Sequence, residues 1–243
     1  MYVGLIIAIV CVFTAIGSGL GYRADLWHFR TGFTILKWSF IVSAITLLVL
    51  IVCMFFIKTK TKADFIVGLI GICISASSVY IPYSWKRTLD KFPYIHDITT
   101  DTSNPPQFVV ISNLRGKSDH PVAYDGPEVA EQQKKAYPAL TSLRLDAPVN
   151  VVMQTAKNVL KNKMKLELID ADSESGRIEA VATTLLYGFK DDLVVRVQAV
   201  SDKQSLVDVR SKSRVGKSDL GQNAKRIQTF LDALSTAVSA EKN

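Results

Sequence analysis

Asp191 and Asp192 stand side by side, and two neighbouring carboxylates are one arrangement that serves general acid–base hydrolysis. Arg196, four residues on, has the planar fork that clamps an anionic group. An envelope hydrolase or transferase would use one carboxylate as base and this guanidinium as the clamp. The local pattern opposes only the use of both carboxylates together. Asp192 to Val200 alternates as a strand, and adjacent strand residues point to opposite faces, so the two carboxylates do not converge on one atom.

Strand alternation makes a different group of polar residues neighbours. Asp192, Val194 and Arg196 share one face with Asp208 and Arg210 of the next strand, and Arg214 and Asp219 follow in the adjoining loop. Two roles fit such a set: a network that fixes strand register and docks the last helix, or a surface for an anionic headgroup or another protein.

Gly216, Lys217 and Ser218 look like the end of a phosphate-binding loop between a strand and a helix. The motif needs glycine where Ser211 stands and belongs beside a parallel sheet, so these residues are read as a tight turn and cap, and no nucleotide is expected. His28, His96 and His120 are scattered, without cysteine or carboxylate at ligand spacing, so neither metal nor other cofactor is expected. Cys11, Cys53 and Cys73 all fall in apolar stretches and read as small packing residues rather than reactive thiols.

The elements that must position these groups come in two blocks. Residues 1–85 are crowded with aliphatic and small residues, and most of the charge follows Lys86. Three windows, Val3–Leu20, Trp38–Ile57 and Phe65–Tyr83, contain no Lys, Arg, Asp or Glu, and each is long enough to cross a hydrocarbon core of about 30 Å. They predict three transmembrane helices, with Tyr22, Trp27, Trp38, Tyr83 and Trp85 at the headgroup level. Gly17, Ser18 and Gly19 in the first span, and Gly68, Gly71, Ser75, Ala76 and Ser77 in the third, allow those two helices to touch.

The net charge of +7 sits partly beside the spans, at Lys58, Lys60, Lys62, Lys86, Arg87 and Lys91, where it suits lipid headgroups better than nucleic acid. Orientation is pulled two ways. With the N-terminus outside, Arg23, Arg30, Lys37 and the cluster after the third span lie inside, and a plain count favours a cytoplasmic domain. The densest short cluster, Lys58 to Lys62, argues the reverse, and Trp27, Phe29 and Phe33 suit the first loop to the interface.

Residues 86–141 are punctuated by Pro105, Pro106, Pro121, Pro127 and Pro138 and read as an irregular stalk, with a short helix over Glu128–Lys135. From 142 to 243 the pattern predicts an α+β domain. A strand at Ser142–Leu145 leads to a helix capped by Asp146 and running to about Lys163; four more strands follow at Lys165–Asp170, Arg177–Leu185, Asp192–Val200 and Ser205–Lys212. Their short connections require antiparallel pairing. The last helix opens near Asp219 as cap, with Gln222 as its capping-box partner, and buries Leu220, Ala224, Ile227, Phe230, Leu231 and Leu234. The expected fold is thus a three-helix membrane bundle followed by an antiparallel sheet of about five strands with two helices on one face.

IEAVATTLLYGFKDDLVVRV (Ile178–Val197) and VDVRSKSRVGKSDLGQNAKRI (Val207–Ile227) closely resemble the DUF1499 family, and FPYIHDITTDTSNPPQF (Phe92–Phe108) is similar to its usual opening segment. The resemblance extends over about Phe92–Leu234 and the three preceding spans seen in many bacterial members. By position it implies that Asp191, Asp192, Arg196, Asp208, Arg210, Arg214, Ser218, Asp219, Asn223 and Arg226 are the family's characteristic polar residues, without implying a catalytic role. All of these except Ser218 form the candidate binding set. The resemblance also implies a cytoplasmic-membrane protein whose domain leans to the extracytoplasmic side. The leading expectation is a non-enzymatic envelope module that binds a lipid, an envelope component or a partner protein, the rivals being the hydrolase above and a structural membrane scaffold.

Overall fold

A computed structural model describes residues 1–56, 61–89 and 91–240. Ile57, Lys58, Lys60 and the side chain of Lys86, all invoked above, lie outside the described residues. The chain divides into two compact units: Met1–Lys91 together with Thr184–Gly188, and Phe92–Thr183 together with Phe189–Asn243.

The first unit holds α1 (Tyr2–Arg23), α2 (Phe29–Phe56) and α3 (Lys62–Leu89). All three are long and apolar enough to cross a membrane. Their outer faces are apolar and bare, as at Phe13, Val49 and Phe55, which is what a hydrocarbon solvent requires. Small residues bring the helices together: a Cβ on Gly71 of α3 would lie 2.8 Å from Leu50 Cδ1 and 3.5 Å from Leu5 Cα of α1, so α1 and α3 touch as expected. Gly17 takes no part in this, with nothing near its would-be Cβ.

The second unit is a six-stranded antiparallel sheet with helices. Its strands are β1 (Asp97–Thr99), β2 (Leu143–Leu145), β3 (Glu167–Asp172), β4 (Arg177–Thr183), β5 (Lys190–Ser201) and β6 (Gln204–Ser213), in the order β1-β6-β5-β4-β3, with β2 also pairing β6. Between them come α4 (Pro127–Ala136), α5 (Val149–Asn158), a π-helical turn at Val159–Lys163, and α6 (Gln222–Ala240).

One sheet face is apolar. Ile178, Ala180, Leu193, Val195, Val197, Val207 and Val209 meet Val152, Ala156, Ile227, Phe230 and Leu234 from α5 and α6 in a single core. The α6 stripe is the predicted one except for Leu220, which precedes the helix at φ 56°.

The structure departs from the sequence reading in instructive places. The segment read as a stalk supplies β1, whose Asp97, Ile98 and Thr99 pair with Lys212, Ser211 and Arg210; a three-residue strand leaves too little alternation to detect. Asp146 does not cap α5, because its carboxylate accepts from Gln204 Nε2 at 2.8 Å and Pro148 is the cap residue. β4 ends at Thr183, so Leu185 is not in the strand. Gly176, in the β3–β4 turn, has φ 66°, and a Cβ there would meet Val197 O at 2.1 Å, so this turn admits only glycine.

Candidate functional site

β5 and β6 carry Asp192, Arg196, Asp208 and Arg210 into one place. Their register sets Asp192 opposite Lys212, Val194 opposite Arg210 and Arg196 opposite Asp208, so the alternation argument holds and these side chains share the face away from α5 and α6. Asp97 of β1, the chain from Thr100 to Asp125, and Ser142 supply further partners.

Arg210 is wholly buried and forms a bidentate pair with buried Asp97, Nε to Oδ1 at 2.9 Å and Nη2 to Oδ2 at 2.8 Å. Its guanidinium lies over Phe108 and Tyr124, 5.0 and 5.4 Å from the ring centroids, and donates to Val122 O at 2.9 Å. Lys212, equally buried, reaches Asp97 at 3.2 Å and donates to Asp125 and to Ala123 O at 2.6 Å each.

Asp192 accepts from Arg115 Nε at 2.8 Å and from Arg214 Nε and Nη2 at 3.0 and 2.8 Å. Arg196 bridges Asp208 and Asp101 at 2.8 and 3.0 Å and donates to Asn104 O at 2.9 Å. Burial would raise the Asp101 carboxyl, but the N–H groups of Asn104 and Ser103 and the Arg196 guanidinium outweigh it and hold this acid below its ordinary range. Glu179, on β4, accepts the backbone N–H groups of Val109, Val110 and Ile111 and so caps the 3₁₀ turn Ile111–Leu114.

Asp191 points the other way. It pairs with Arg226 of α6 at 2.7 Å, and Arg226 also reaches Ser211 and Asn223. Asn223 in turn bonds Ser211, Ser213 and His96 O, tying α6 to β6. Asp219 caps α6 by accepting from Gly221 and Asn223 N–H. Burial raises its carboxyl above the ordinary range, partly offset by those two N–H donors. The candidate set therefore splits across two sheet faces. Asp192 has both oxygens engaged by two guanidiniums, which holds it as an immobilised anchor with neither oxygen turned towards a substrate.

Two features went undetected in the sequence. His96 and His120 stack with ring centroids 4.1 Å apart, His96 Nε2 lies 3.4 Å from Asp125 Oδ2, and His120 Nε2 meets Gly216 O at 2.9 Å. No group of three or more His, Cys, Asp or Glu able to hold a metal occurs among the described residues. The second feature is a surface groove of about 410 Å³ between the π-helical turn and α6. Val159, Ala233, Ala237 and Ala240 line it, with Asn162 and Lys163 at its side. The alanines look like helix formers in the sequence, and nothing there announces a π turn, which is frequent at functional sites.

Asp192→Asn is expected to destabilise the protein by about 3 kcal/mol in denaturant unfolding, because it leaves two buried guanidiniums short of their counter-charge. A catalytic base would instead be replaced with little change in stability. Burial, then the neighbouring His120, holds the His96 imidazole below its ordinary value, against the opposing pull of Asp125 and Asp97. The folded state thus disfavours the proton that the unfolded chain takes up below about pH 6.5. Thermal stability is expected to fall as pH drops through that value towards the folded-state pKa, and His96→Gln should flatten the slope.

No curated protein matches the chain. Among solved structures, the di-domain ARO/CYC BexL from the BE-7585A biosynthetic pathway is similar over 42% of this chain and 46% of that one, at 15% identity and a TM-score of 0.33. The chain thus spans less than half the length of that protein, and so low a score carries no argument. The family model described as "Protein of unknown function (DUF1499)" matches residues 97–234, more than half of the chain, from the Asp97 that pairs with Arg210 to Leu234 in the core stripe of α6. The chain belongs to the DUF1499 family.

Proposed function

We propose that this protein is a non-enzymatic binding module of the bacterial cell envelope, anchored in the cytoplasmic membrane by α1–α3, with its α+β domain on the extracytoplasmic side and a lipid as its ligand. The observation that carries the reading is the groove beside the π-helical turn. Its volume of about 410 Å³ is within the range of small-molecule sites, and Val159, Ala233, Ala237 and Ala240 give it apolar walls beside Asn158, Asn162, Lys163 and Thr236. Lys163 stands at one side, exposed, as a point charge for an acidic headgroup.

The ionic face offers less to a ligand. Arg115, Arg196, Arg210, Lys212 and Arg214 already meet carboxylates, so an anionic guest there would have to displace Asp97, Asp192 or Asp208. An acyl chain in the groove needs no such exchange. It gains about 0.8 kcal/mol for each methylene removed from water.

Two measurements test this. A photoactivatable phospholipid analogue, irradiated with the full-length protein in nanodiscs, is expected to label residues 158–163 and 233–240. Ala237→Trp, which fills the groove, should cut that labelling about tenfold at an unchanged melting temperature; undiminished labelling defeats the proposal. For orientation, alkaline phosphatase fused after Asn243 should be active and green fluorescent protein at the same position dark, and the opposite pair of results would put the domain in the cytoplasm.

A further inference from the structure

Between β4 and β5 the chain leaves the sheet unit, and Thr184–Gly188 fold with the helices. The excursion is held at several points, beginning with its own closing bond from Gly188 N to Thr184 O at 3.0 Å. Tyr187 is 6% exposed, with its hydroxyl 3.0 Å from the buried Ser18 Oγ and its ring 5.2 Å from Phe33 and 6.3 Å from Tyr22, centroid to centroid. Two glycines make the seat: a Cβ on Gly19 would lie 2.7 Å from Leu186 Cγ, and one on Gly32 would lie 3.2 Å from Tyr187 Cε1. Arg23, in the last turn of α1, donates from Nη1 to Leu185 O at 2.7 Å, and Gly188, at φ 68°, passes close to the stem of the same arginine.

The side chain of Leu185 is treated in the opposite way. It is 89% exposed although the backbone on either side of it is fastened down. Leu26, in the α1–α2 connection, is 70% exposed. The same end of the helical unit carries the linked rings of Tyr22, Phe29 and Phe33, Arg30 over the Phe29 ring, Arg23 on Leu185 O, and Trp27 beside Leu26 with its Nε1 donating to Ser18 O at 3.0 Å. A bare aliphatic tip on a rigid base, among amphipathic rings and guanidiniums at the end of apolar helices, has the composition of a group at the headgroup–acyl boundary.

We propose that Thr184–Gly188 form a membrane-interface finger, with Leu185 and Leu26 inserted into the lipid at the level where α1 ends and α2 begins. The occupant of this surface is the bilayer itself, by continuity with the lipid-facing sides of α1 and α2. A β-sheet connection thereby becomes a membrane contact in addition to the helices. The inference rests on α1–α3 crossing the bilayer and is independent of what the groove binds.

The test uses full-length protein in vesicles of phosphatidylethanolamine and phosphatidylglycerol, some brominated high on the acyl chain. The native tryptophans report on the helices. Leu185→Trp, and separately Leu26→Trp as a second reporter should the first fail to fold, adds emission that is expected to be blue-shifted and to lose most of its intensity to the brominated lipid. Val200→Trp, at the end of β5, should instead be quenched by aqueous acrylamide. Native tryptophans quenched by bromine, with the added residue at 185 or 26 quenched only by acrylamide, would overturn the finger and leave the spans intact. Bromine failing to quench any tryptophan would overturn the spans themselves and the finger with them.

Discussion

Arg210 and Lys212 sit on a β-strand with no access to water, and their charges are tolerable only because Asp97 lies between them. An ammonium or guanidinium withdrawn from water without a partner costs several kcal/mol, an appreciable share of the few that hold a domain together. Asp97 belongs to the short β1 and Asp125 to the irregular chain after it, so pairing the two cations also fixes where that chain runs. Pro106 O and Val122 O, accepting from Arg210 at 3.3 and 2.9 Å, extend the constraint to backbone that has no ladder of its own. A segment poor in regular structure is thereby held by hydrogen bonds to charged groups, which are individually stronger than neutral ones.

The helical unit answers a different constraint. Its outward residues are apolar, as helices of this length and composition need if they cross a membrane, and its inward ones include small and hydroxylated side chains: Ser39, Ser43 and Thr46 on one side of α2, Gly71 and Ser75 on α3. Ser39 and Thr46 return their hydroxyls to carbonyls one turn back, which satisfies them without a partner helix. Close approach then comes from glycine, as where Gly4 and Gly71 both abut Leu50.

Much of this was legible in the residues. Charge-free windows of about 20 residues announce the spans, period-two alternation announces β5 and β6, and the 3.6-residue stripe from Ala224 to Leu234 announces α6. That Asp191 and Asp192 part company follows from the same alternation. What escaped was carried by residues distant in sequence. Asp97 meets Arg210 across more than 100 positions, Glu179 caps a turn some 70 residues before it, and His96 meets His120 only because both strap the same sheet face. The π-helical turn has no sequence period distinct from α-helix, and the Thr184–Gly188 excursion reads as more strand because Leu185 and Leu186 continue an apolar run.

The two faces of β6 explain why so many charges are kept inside when a buried pair often adds little net stability. Val207 and Val209 point to α5 and α6; Asp208, Arg210 and Lys212 point to the ionic face. A slip of one residue against β5 would exchange them, driving three charges into the apolar core and stranding two valines among carboxylates. Two apolar faces would have stacked almost as well in either register. With charge on one side and methyl groups on the other, the alternative pairing is penalised from Val207 to Arg210 and again at Lys212. The same residues that hold the irregular chain in place therefore also make the sheet's register unique.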